Sequence, residues 1–290
     1  MKGAWSWPRL LILLLLGVLS PALTWLVLGR AHDASLERLQ ERGVLRVGYA
    51  VEAPYALVGP GAEVTGESPE TARRIAARLG LNRIEWVQVP FGELIPSLNE
   101  RRFDMIAAGL FVTAERADKL RYADPSVRVL PGWLVRKGNP KGLSSYRAAA
   151  GRRDVMIAVL QGSVEQQRLG ELGLPKTLML AVPDAQAGRS ALAKGAADAL
   201  ALSLPTTRWI ANSSPETFEA LPDLAAESHA ARADWVAFAF HREDLGLQQA
   251  WNQAQRGWIG SAEHARLVRR FGFARDDLGG EVRVEELLKR

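Results

Sequence analysis

The chain has 290 residues, 48% of them hydrophobic and 24% charged, a balance that excludes disorder and leaves room for one large core or two modest ones. It contains no cysteine, which excludes a disulfide framework, a thiol nucleophile, a thiolate metal site and a lipid-bearing cysteine. The net charge of +5 and isoelectric point near 9.7 come from arginines such as Arg73, Arg74, Arg101, Arg102, Arg269 and Arg270, spread over separate helical stretches among acids. That pattern makes solvated helix faces, and no nucleic-acid partner is expected.

Lys2 and Arg9 flank the start of an almost wholly apolar run from Leu10 to Leu28, interrupted by Ser20 and Pro21. The run is an export signal, read either as a cleaved signal peptide with Gly29 and Ala31 as the small residues of its cleavage site or as a retained membrane anchor. In both readings the positive charges stay inside, and the rest of the chain faces the periplasm or the cell exterior.

After a polar helical lead (Ser35 to Arg42), Val44 to Val51 reads as a buried strand, Val58 to Gly66 as a turn or hairpin, and Pro69 to Leu79 as a helix stopped by Gly80. Ile84 to Val89 is the next strand, Leu94 to Asn99 a helix, Phe103 to Leu110 another strand, and Ser126 to Arg136 is extended up to a turn at Lys137 to Gly142. A second alternation follows: strands at Val155 to Val159, Thr177 to Val182 and Ala197 to Leu202, with helices at Val164 to Leu172, Ala185 to Lys194 and Pro205 to Ala211. Trp235 to Phe240 reads as a further strand, and helices at Leu245 to Trp258 and Ala262 to Phe271 close the domain. Alternation of this kind predicts an α/β fold with ligands held at the C-terminal ends of strands. The chain crosses between two α/β halves near Ser126 to Pro131 and near Ala230 to Trp235, which gives a leader at 1–31, a first lobe at 43–129 plus 234–275, a second lobe at 130–233 and a charged tail at 276–290 with no assigned role.

Common catalytic signatures are missing. Gly162 and Ser163 lack the flanking glycines of a nucleophile elbow, no phosphate-cradling loop occurs, and Gly59, Pro60 and Gly61 make a turn. His32, His229, His241 and His264 are far apart and lack metal-ligand spacing, so neither a metal nor a cofactor is expected.

The stretch from Phe91 to Pro125 carries more information. Leu94, Ile95, Pro96 and Leu98 are followed by Phe103, Asp104 and Ile106, then by Thr113 and Arg116, then by Ala123, Asp124 and Pro125. In that order these residues resemble the polar amino-acid receptors of ABC importers, the type II periplasmic solute-binding family, and the resemblance runs from Val44 through Gly272. It implies two lobes joined by a two-segment hinge, a monomer that carries a small zwitterion to a permease in the inner membrane, and no catalysis. It also implies that Arg116 pairs with the ligand carboxylate, for which a guanidinium fork is suited in its own right. Thr113 reads as the N-cap of the helix that carries Arg116.

Within the family, the ectoine- and hydroxyectoine-binding receptors look most like this chain, at Gly66 to Glu70 and at Ala107 to Gly109. The matching aromatic positions are Tyr55, Phe91 and Phe111, with Glu52 just before Tyr55, and aromatic faces suit a delocalised or substituted cation. Gln161, Ser163 and Val164 are the second-lobe candidates. Where amino-acid receptors of the family carry an acid for the ligand ammonium, this chain has Ser203, so the expected ligand shifts toward a ring-shaped or substituted zwitterion unless Glu52 supplies the acid. Two other readings stay open: an enzyme on the same scaffold, resembling the cyclohexadienyl dehydratases, with Glu52 as general acid or base, and a membrane-tethered sensor.

Overall fold

The computed structural model describes residues 33–224 and 234–289. The expected leader with Gly29 and Ala31, His32, His229 and the first part of the second crossing lie outside the described residues.

Helix α1 (Ser35–Arg42) begins where the Asp33 carboxylate accepts the Ser35 N–H at 2.9 Å, and it stops at Gly43, whose φ of 70° suits glycine. Then come β1 (Leu45–Tyr49), β2 (Leu57–Val58), β3 (Val64–Thr65), α2 (Glu67–Arg78), β4 (Ile84–Gln88), α3 (Leu94–Asn99), β5 (Met105–Ile106), α4 (Ala114–Ala117) and β6 (Leu120–Tyr122). Strand β7 (Val127–Val129) leads to β8 (Pro131–Arg136), α5 (Tyr146–Ala150), β9 (Ile157–Leu160), α6 (Val164–Glu171), β10 (Met179–Val182), α7 (Ala185–Ala193), β11 (Ala199–Ser203), α8 (Leu204–Ser213) and β12 (Phe218–Pro222). Strand β13 (Asp234–Val236) leads back to β14 (Ala239–His241), α9 (Leu245–Gln255), α10 (Ala262–Arg269) and α11 (Val284–Leu288).

Two five-stranded sheets organise the molecule, in the orders β4-β1-β5-β14-β6 and β10-β9-β11-β8-β12. In the first, β1 runs parallel to β4 and β5 while β14 is antiparallel to β5 and β6. In the second, β9 runs parallel to β10 and β11 while β8 is antiparallel to β11 and β12. The link is a two-stranded ribbon in which β7 and β13 pair antiparallel, Val129 opposite Asp234 and Val127 opposite Val236. This is the α/β two-lobed architecture expected of the sequence. Each sheet packs its helices against aromatic clusters: Trp251 stands edge-on to Phe238 and Phe240 in the first lobe, Trp133 to Tyr146 in the second.

Three expectations need correction. The strand expected over Phe103 to Leu110 pairs only at Met105–Ile106, because Gly109 at φ +69° turns the chain out of the sheet. Trp235 to Phe240 is two strands, one in the ribbon and one in the first sheet. Helix α2 starts at Glu67, two residues before the expected Pro69, as Gly66 at φ +129° makes the bend. Short elements such as β6 and α5 carry too few residues to show a period.

The charged tail is docked. Asp124, 3% exposed, accepts from the Arg283 guanidinium at 3.0 Å and from the Val284 N–H at 3.2 Å, which buries Val284. The same residue is tied to α9, its N–H donating to Asn252 at 2.8 Å and its carbonyl accepting from Gln255 at 2.8 Å. Replacing Asp124 by Ala therefore leaves two donors unanswered, one of them at a buried position. We expect a loss of roughly 1–3 kcal/mol of unfolding free energy in a urea titration, with faster proteolysis ahead of Val284.

Candidate ligand site between the two lobes

The loop after β1 is shaped by its own backbone: Glu52 donates its N–H to Ala56 at 2.8 Å and accepts the N–H of Ala56 at 3.0 Å, which draws Tyr55 inward. The Tyr55 ring packs against Phe273 at 5.7 Å and covers Gly109, where an added Cβ would stand 2.5 Å from the ring. Only glycine fits there, on conformation and on space alike. Tyr55 is buried and braces the site, with its hydroxyl directed at the second lobe.

Arg116 sits in α4, whose N-cap Thr113 accepts the Arg116 N–H at 3.2 Å, so the Thr113 side chain is a cap. Glu115 pairs with Lys119 at 3.2 Å. The Arg116 guanidinium turns the other way, into the interior, and is 8% exposed. One Nη donates to the Phe111 carbonyl at 3.0 Å and the other reaches across the lobes to the Gly162 carbonyl, also at 3.0 Å. The Tyr122 hydroxyl donates to the same Phe111 carbonyl at 2.8 Å, and the Phe91 ring lies 5.7 Å from the guanidinium carbon. Two of five N–H donors are thus engaged by carbonyls, and the fork remains able to bind an anion.

A second set of bonds crosses the lobes as a chain of hydroxyls. Tyr55 donates to Ser203 at 3.0 Å, Ser203 donates to Thr206 at 3.1 Å, and Thr206 donates to the Glu52 carboxylate at 2.9 Å. Ser203 also caps α8 by accepting the Thr206 N–H. Ser163 caps α6 in the same manner, accepting the Gln166 N–H at 3.1 Å. Gln161 is exposed, and its carbonyl lies 3.1 Å from where a Cβ on Gly92 would stand.

Between these bonds lies a cavity of about 10 Å³, walled by Glu52, Phe91, Gly109, Phe111 and Arg116 from the first lobe and by Leu160, Ser163, Val164, Glu165 and Leu202 from the second. It has room for about one water. Seven of the expected site residues meet there; Tyr55, Thr113 and Ser203 stand behind the wall as brace and caps, and Gln161 lies at the lobe boundary. Glu165, Thr206, Leu160 and Leu202 escaped the sequence reading. Thr206 had a detectable signal, since it stands three residues after Ser203 as a capped residue does, and Glu165 stands in the first turn of a helix announced by Ser163.

Residues 45–274 match the model of the bacterial extracellular solute-binding proteins, family 3. The chain belongs to this family. It is 32% identical over 247 residues to "Probable amino-acid ABC transporter periplasmic-binding protein y4tE" of Sinorhizobium fredii, over 84% of this chain and 81% of that one. The crystal structure of EhuB in complex with hydroxyectoine is similar at a TM-score of 0.81 and 30% identity, over 88% of this chain and 98% of that one. A shorter similarity, 31% over 142 residues, joins 49% of the chain to 26% of the membrane-bound lytic murein transglycosylase F of Vibrio cholerae. Among the described residues of this solute-binding protein, no helix is long and apolar enough to cross a membrane and no group of three acids or histidines could hold a metal ion.

Burial dominates the electrostatics of the site. Glu52 is pushed up to about 8, first by burial and then by the negative charge of Glu165, with the Thr206 hydroxyl acting in the opposite direction. Glu165 is pushed up to about 7 by burial and by Asp234, against its own backbone N–H, Arg168 and Arg116. Behind the wall, buried Glu67 rises to about 7 although Ser68 donates to it at 2.7 Å.

A carboxyl raised in the native state contributes stability that is complete below its ordinary value near 4.5 and is lost as pH rises through about 8. Buried His264, lowered to about 4 by desolvation, works the other way and favours the fold above its ordinary value of 6.5. Replacing Glu52 by Gln keeps an acceptor for Thr206 and removes the ionisation. Relative to wild type, we expect ligand-free Glu52→Gln to gain roughly 1–3 kcal/mol more at about pH 9 than at about pH 6, read from urea titrations at the two pH values.

Proposed function

We propose that this solute-binding protein captures a small zwitterion between its lobes and delivers it, chemically unchanged, to an ABC permease. The observation that supports this most directly is the convergence of a cationic fork, Arg116, and the carboxyl group of Glu52 on one aromatic-walled cavity lined from both lobes. A zwitterion presents the complementary pair of charges: its carboxylate meets Arg116, and its cationic part lies toward Glu52 between the Phe91 and Phe111 faces.

A cavity of about 10 Å³ admits no such molecule while the lobes are shut, so entry requires them to part about the β7/β13 ribbon. Opening breaks the bonds from Arg116 to the Gly162 carbonyl and from Thr206 to Glu52, and the ligand then takes over those polar groups. Closure around it removes water and strengthens each charged contact. The similarity to an amino-acid ABC transporter protein and to a hydroxyectoine complex is consistent with this class of ligand, and membership of an extracellular family with export from the cytoplasm.

A thermal-shift screen of ectoines, betaines and amino acids tests the proposal. A true ligand at a hundred times its Kd stabilises the fold by about 2.7 kcal/mol. Arg116→Ala is expected to weaken that ligand by about 2–5 kcal/mol in calorimetry, while the ligand released from wild type is recovered intact. Absence of any shift across the panel, or conversion of the bound compound, overturns the reading.

A further inference from the structure

The acid that receptors of this kind were expected to place after β11 is Ser203 here, and Ser203 is spent on capping α8 and accepting from Tyr55. The second lobe nevertheless brings an acid to the cavity from a different element. Glu165, in the first turn of α6 and 4% exposed, lines the same cavity as Glu52, from the opposite lobe. Building on the reading that the ligand carboxylate sits on Arg116, we infer that Glu52 and Glu165 form a two-carboxylate subsite that selects a ligand whose cation carries N–H donors, such as a protonated cyclic amidine, over one whose nitrogen is fully substituted.

The count of donors and acceptors carries this. Each carboxyl group has several lone pairs to satisfy, and the Thr206 hydroxyl answers one oxygen of Glu52. Two cations lie near Glu165 and favour its charged form, though each also has other partners. Arg168 is engaged by Asp234 through two bonds at 3.2 and 2.9 Å, and Arg116 by the carbonyls of Phe111 and Gly162. Tyr146 faces Glu165 from α5 and Tyr55 faces Glu52, and burial holds both phenols in the neutral form. Shut on nothing, the cavity holds two acids in a desolvated space, and the negative charge of Glu165 adds to burial in raising Glu52's hold on a proton.

A flat cation with N–H groups on two sides relieves this arrangement from both lobes at once, donating to Glu52 on one and Glu165 on the other. A quaternary ammonium supplies the charge but leaves the buried lone pairs unanswered, and an unanswered buried polar group is costly. Glu165 is therefore a specificity-determining residue, while Arg116 provides affinity for any carboxylate-bearing ligand.

The experiment compares ectoine, a cyclic amidinium zwitterion, with proline betaine, a cyclic quaternary zwitterion, by calorimetry on wild type, Glu165→Gln and Arg116→Ala, with a thermal melt of each variant. Wild type is expected to bind ectoine at least about tenfold more tightly than proline betaine, and Glu165→Gln to lose about tenfold or more for ectoine with little change for proline betaine. Arg116→Ala is expected to weaken both. If Glu165→Gln does not fold, Glu165→Asp keeps the charge on a shorter arm and is expected to show an intermediate loss. An unchanged ectoine preference in the Glu165 variants, or a wild type that does not prefer ectoine, overturns the subsite while leaving the Arg116 reading in place. Binding of neither compound by wild type, with none from the wider panel, overturns both.

Discussion

A carboxyl group taken out of water has to be answered by hydrogen bonds, and the manner in which Glu52 is answered ties the two lobes together. Its acceptor is met by Thr206, a residue of the opposite lobe, and Thr206 is aligned by Ser203, which in turn receives the Tyr55 hydroxyl. The chain of donors starts and ends in the first lobe and passes through the second. Breaking it anywhere leaves a buried polar group unanswered, so the lobes are joined by more than their ribbon. The Arg116 bond to Gly162 is a second tie of the same kind.

These ties depend on a scaffold of ordinary packing. Gly109 lets the chain leave the first sheet beneath the Tyr55 ring, and Gly66 lets α2 begin close against the Tyr55 backbone, where an added Cβ would stand 2.3 Å from the carbonyl oxygen. Asp124 gathers α9 and the C-terminal segment around the turn that leads into the ribbon. Among the described residues, the backbone shared by the two lobes is the β7/β13 ribbon.

The site also shows how one residue can serve two ends. Ser203, Ser163 and Thr113 each cap a helix, a requirement that any α/β fold imposes. The capped first turns also carry Glu165 and Arg116, which line the cavity, and Thr206, which donates to Glu52. Helix caps and the residues that line the cavity lie in the same short segments, which is why cap signals and site signals fall on neighbouring residues.

From sequence, the alternation of strands and helices could be read because buried β-branched runs and helix stops are local matters. Arg116, Phe91 and Phe111 stood out because they fall within one ordered stretch from Phe91 to Pro125. Glu52 and Tyr55 could be listed as loop residues at a strand end. What no local pattern could carry was the pairing of groups far apart in the chain: Tyr55 with Ser203 across 148 positions and Glu52 with Thr206 across 154. Nor could it carry the arrival of Glu165 opposite Glu52, since an acid in the first turn of a helix is accounted for by the helix dipole alone. Sequence determined which residues are polar, capped or apolar, because those properties act over one turn or one strand. Tertiary structure alone decided which of them share a desolvated cavity, because burial and charge coupling exist only once the two lobes meet.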